Sequence, residues 1–125
     1  MATPKEPSTQ TAAVRRFKDP AYQPVADTLG ALRERIDALD VQIVALLAQR
    51  AACVRDATRF KQDAYQVAAP ARQAQVFAKV RALAEAHHAP FPGFADVVES
   101  TYRTLVAAFI AGEDQLFAET ERIEP

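Results

Sequence analysis

Five side chains carry charge where the surrounding pattern is apolar or where an anion could be held: Arg33, Arg50, Lys61, Arg72 and Glu113. Arg50 occupies a place in an otherwise hydrophobic helical row, and a guanidinium kept there without a counter-charge would be severely destabilising. Something anionic must meet it. Two sources fit, a structural salt bridge to Asp37 or Asp40 of another chain and a ligand carboxylate held by two parallel hydrogen bonds. Arg33 and Lys61 flank the same row. Arg72 either lines the same pocket, holds the loop before it or rests in solvent, since a helix start does not favour a cation. Glu113 interrupts a second apolar row, where loss of water raises a carboxyl's pKa and neighbouring cations lower it. Neutral, it donates a hydrogen bond to a ligand oxygen; ionised, it pairs with a cation or stays at an exposed helix end. The set has the makings of a site for a small, doubly negative molecule.

The element that must position Arg33, Arg50 and Lys61 is a long helix starting near Asp27. Leu29, Leu32, Ile36, Leu39, Ile43, Leu46, Arg50, Cys53, Ala57 and Phe60 recur at alternating steps of three and four, the period of one helical face. Leu47 and Val54 widen that face beyond a narrow coiled-coil seam. Arg33 and Lys61 lie 28 residues apart, about 42 Å along a helix, so one chain cannot bring them together. Two copies packed antiparallel and crossing near Val44 would set residue 33 of one level with residue 55 of the other. Arg33 of the second chain would then fall between Arg50 and Lys61, and a twofold axis would make two equal positive pockets.

Beyond Lys61 the segment QDAYQVAA loses the period and reads as a loop of about eight residues before Pro70, which suits a first helical turn. A second helix carries Val76, Phe77, Val80 and Leu83 on one side. Ala89 to Phe94, APFPGF, breaks it. A third helix then presents Phe94, Val98, Tyr102, Leu105, Phe109, Glu113 and Leu116 at steps of three or four, again one face. Residues 1–25, with Pro4, Pro7, Pro20 and Pro24, read as a mobile or loosely docked arm; residues 26–119 form the helical domain and residues 120–125 a tail.

Composition agrees with an all-α chain. Only Gly30, Gly93 and Gly112 are glycine among 125 residues, too few for a sheet with many tight turns. A net charge of −1 gives no general attraction for nucleic acid or an anionic membrane. No stretch approaches the length of a membrane span, and the opening MATPKEPSTQ lacks the apolar core of a secretory signal. Cys53 is the single cysteine and is expected to be a reduced, packed thiol, in keeping with a cytoplasmic setting. His87 and His88 are adjacent, so their side chains diverge on a helix and make a poor metal pair.

The segment LGALRERIDALDVQIVALLAQR resembles the first helix of the all-α, AroQ-type chorismate mutases, in which an arginine precedes I-D-x-L-D and a second arginine follows. The resemblance runs from about residue 27 to 117. It implies a three-helix fold assembled as an intertwined homodimer, with Arg33 of one subunit joining Arg50 and Lys61 of the other. By the same resemblance Arg33 and Arg50 bind the two carboxylates of chorismate, Lys61 holds a carboxylate or the ether oxygen, and Glu113 faces that oxygen where many relatives carry glutamine. RFKQDAYQVAAPAR and FIAGE are also similar to the isochorismate pyruvate lyases, a branch of this fold that yields salicylate and pyruvate; Glu113 departs from the glutamine of that branch. A rearrangement of chorismate to prephenate needs no nucleophile, metal or cofactor, only a held conformer and donors near the departing oxygen. The reading from another class is a non-catalytic helical dimer whose arginines satisfy interchain aspartates and which serves assembly or regulation.

Overall fold

The computed structural model of the chain describes residues 3–123. Its regular structure is helical: α1 spans Leu29–Ala57, α2 Ala64–Ala68, α3 Pro70–His87 and α4 Phe94–Ala118, with a 3-10 turn at Thr58–Phe60 after α1. The all-α expectation and its three long helices are met. Met1–Ala48 and Gln49–Pro125 form two compact units, with the boundary inside α1.

In the first unit, α1 starts two residues later than expected. Thr28 supplies the reason: its Oγ1 accepts from the Ala31 amide at 3.2 Å and its carbonyl from Leu32 at 3.1 Å, so it caps the helix. The preceding arm is largely exposed but is tied to this helix start by an isolated antiparallel bridge between Ala12 and Thr28. The first two residues of the expected arm and the last two of the expected tail lie outside the described residues. Ile36, Leu39, Ile43 and Leu46, the core of the predicted apolar row, are all about half exposed on the single chain.

In the second unit, α1 does not continue through Phe60. Thr58 turns its hydroxyl back onto the Val54 carbonyl at 3.1 Å, a local bond that competes with helical continuation, and Lys61 takes an extended backbone. Phe60 consequently leaves the row and is 74 % exposed.

The segment expected to be an eight-residue loop holds the short helix α2. Asp63 caps it, its carboxylate accepting from the Gln66 amide at 2.9 Å, while Gln66 reaches back to accept from the Gln62 amide at 2.7 Å. This is a reciprocal cap of the capping-box kind. Ala69 then adopts a left-handed backbone, φ 46° and ψ 60°, unusual for a residue with a Cβ. It ends α2, donating to Tyr65 O at 2.9 Å, and begins α3, accepting from Gln73 at 3.0 Å. Pro70 opens α3 as expected.

α3 and α4 pack around Val80, Ala84 and Val106, while Val67 of α2 is 1 % exposed. Burying a side chain of this size contributes about 2 kcal/mol. Leu83, expected inside, is exposed, because α4 covers the turn-neighbouring positions Val80 and Ala84 instead. Arg81 of α3 bonds Asp96 and Glu99 of α4, the latter at 2.7 Å, and Arg103 lies 4.5 Å over the Phe77 ring. Every residue of the row predicted on α4, Phe94 through Leu116, is buried or half-buried.

Candidate active site

A cavity of about 300 Å³ opens in the second unit among α1, α2, α3 and α4. That is near the lower end of the size range for small-molecule sites. Arg50, Lys61, Arg72 and Glu113 all line it, although they are separated by as many as 63 positions, from 50 to 113, in the sequence. Each arrives by its own local device. Arg50 sits one helical turn before Val54 on α1. Lys61 follows the 3-10 turn, and its Nζ donates to the Gln66 carbonyl at 3.0 Å, tying it to α2. Arg72 lies in the first turn of α3, exposed at the cavity rim. Glu113 comes from α4 and is buried, 7 % exposed.

Arg50 meets an aromatic face as well as the cavity: its guanidinium carbon lies 5.0 Å from the centroid of Phe109. Among the described residues neither Arg50, Lys61, Arg72 nor Arg33 makes a salt bridge. Three cations converge on one cavity against a single carboxyl, an excess suited to a ligand with two negative charges.

Glu113 is held at the back of this group. Burial pushes its carboxyl up from the ordinary value, and Asp114 adds to the rise; Lys61, the Thr58 hydroxyl and Arg50 pull the other way. Burial is the larger influence. The Thr58 proton is committed to Val54 O at 3.1 Å, which limits what that hydroxyl offers a carboxylate. Among the described residues Glu113 Oε2 is buried without a hydrogen-bond partner, a cost that a ligand oxygen would offset.

The second apolar row thus delivers Glu113 to the cavity, and the conflict between charge and periodicity locates Arg50. Gln73 was not legible in the sequence: its Nε2 donates to Ala68 O at 2.6 Å and braces the α2–α3 junction at the cavity wall. Its role depends on the left-handed Ala69, which no local pattern announces. Cys53 also lines the cavity but is exposed rather than packed, because the chain's own elements leave that side of α1 uncovered. Arg33 stands exposed in the first unit and is not one of the residues lining this cavity. His87 and His88 are exposed at the end of α3.

The sequence profile described as chorismate mutase type II matches residues 32–114. The chain belongs to the chorismate mutase type II family. No curated protein matches it. The chorismate mutase type II match begins before Arg33 and extends past Glu113, so all five singled-out residues fall within it. Its helical architecture is that of the family, and among the described residues no helix is long and apolar enough to cross a membrane.

Proposed function

We propose that the protein is a chorismate mutase that converts chorismate to prephenate in the cavity formed by Arg50, Lys61, Arg72 and Glu113. The observation that carries this reading is the convergence of unpaired cations on a space also faced by a buried, unpaired carboxyl oxygen. In the rearrangement the ether carbon–oxygen bond breaks as a carbon–carbon bond forms, and negative charge grows on the departing oxygen. Arg50 grips one carboxylate by its planar fork, and the Phe109 face holds that fork in place. Lys61 presents positive charge to the ether oxygen, and Glu113 in its neutral form donates to it. Such fixed donors favour the transition state because they need not reorganise when charge develops. Arg72 closes the rim.

The second carboxylate falls to Arg33 of a second copy. The half-exposed row Ile36, Leu39, Ile43 and Leu46 supports an antiparallel homodimer, since burying it against its own symmetry mate removes a continuous apolar face from water. Incubation with chorismate and, separately, with isochorismate tests the reading. Prephenate from the first is expected; salicylate and pyruvate from the second would replace the mutase by the lyase reaction. Binding without turnover of either would leave a regulatory dimer.

A further inference from the structure

We propose that the amino-terminal arm is a clamp on the first turn of α1 and that Gly30 is a positioning residue for Arg33. The first amides of any helix lack partners inside it. Here Thr28 takes those of Ala31 and Leu32, and the Gly30 amide is taken by the carbonyl of Thr9 at 3.1 Å. The acceptor comes from 21 positions earlier in the chain, with the Ala12–Thr28 bridge beside it, so the arm itself completes the cap. Gly30 has no positive φ that would demand glycine. The demand is for space: a Cβ there would stand 2.9 Å from Thr9 O, closer than real carbon–oxygen contacts allow, and the obstructing atom is backbone. Arg33 lies one turn further along the clamped segment.

The link to Arg33 rests on the mutase reading; the clamp does not. The Gly30→Ala substitution in the full chain separates the arm from the helix, because alanine strengthens a helix while its Cβ expels Thr9. Two measurements decide. Amide hydrogen exchange at residue 30 should be slow in the parent and fast in Gly30→Ala, with helix content kept. Chorismate turnover should show a KM raised roughly fivefold with kcat nearly held, the pattern of lost uniform binding, and no further rise when Gly30→Ala is added to Arg33→Ala. Fast exchange at Gly30 in the parent overturns the clamp. An equal KM rise in the Arg33→Ala background overturns the positioning role. A parent that turns over no chorismate defeats the mutase reading and the positioning role with it, while exchange still decides the clamp.

Discussion

Arg50 and Phe109 join α1 to α4 by a cation–aromatic contact, 5.0 Å from guanidinium carbon to ring centroid, that holds the cation at the cavity without neutralising it. This arrangement separates stability from function. The aromatic contact contributes about 1 kcal/mol, whereas crowding beside Lys61 and Arg72 opposes it. Arg50→Ala should therefore leave the melting temperature almost unchanged and lower kcat/KM by about 3 kcal/mol, the scale of a lost transition-state donor. Lys61→Ala should lose nearly as much. Arg50→Lys should fall between, since it keeps charge but loses the fork and the stacking. Near-normal kinetics in either alanine variant would remove that residue from the site.

Glu113 makes the pH dependence predictable in sign. Its carboxyl is raised above the ordinary 4.5 chiefly by burial, so the folded chain binds a proton more tightly than the unfolded one. Stability from this group is full below the ordinary carboxylate range and is lost as pH rises through the raised value. Donation to the ether oxygen is lost in the same direction. Glu113→Gln should extend kcat/KM to higher pH and flatten the melting temperature over that window, because an amide donates without needing a proton. Superimposable pH–rate profiles for the two proteins would exclude a neutral Glu113.

Periodicity exposed the large elements and the conflicts within them. The α4 row from Phe94 to Leu116 is buried or half-buried as the spacing requires, and Glu113 follows from that row. The α1 row lies on one helix as far as Ala57, but Ile36, Leu39, Ile43 and Leu46 are exposed on the single chain and Phe60 leaves the row where Thr58 bonds back to Val54. Helix α2 is invisible to periodicity although Asp63 and Gln66 carry a cap, because five residues are too few to display a period. Thr58, Gln73 and Gly30 act through backbone partners brought near by turns, and no residue type discloses that in advance. Arg50 was legible for the opposite reason, since its charge opposes the pattern wherever the turns lead.

Arg81 offers a control for the site variants. It joins α3 to α4 through Asp96 and Glu99, and those bonds hold its guanidinium well above the usual arginine range while keeping Glu99 below the usual carboxylate range. Asp96 is exposed and Arg81 and Glu99 are only partly buried, so salt should screen much of their worth. Arg81→Ala should lower the melting temperature in dilute buffer, lower it less in high salt, and leave KM for chorismate unchanged. A large KM effect would mean that the α3–α4 packing shapes the cavity directly.

Sharing of one site between two copies has a sharper consequence than sedimentation alone can test. If Arg33 of one subunit completes the cavity around Arg50 of the other, Arg33→Ala and Arg50→Ala each keep only a small residual turnover as homodimers. Co-expression produces mixed dimers in which one site carries both defects and the other carries neither. With random pairing half the dimers are mixed, so about a quarter of all sites recover full function. Activity should therefore return to roughly that fraction of the parent when the two variants are made together, and should stay at the residual level when separately purified dimers are combined without subunit exchange. If each chain supplied its whole site, both alanines would stay at the residual level in any mixture. Should Arg33 take no part, the Arg33→Ala protein would be active alone. The half-exposed Ile43 gives an independent check: Ile43→Arg should produce monomers that keep their helices and lose turnover, because the face it disrupts is the one through which the second arginine would arrive.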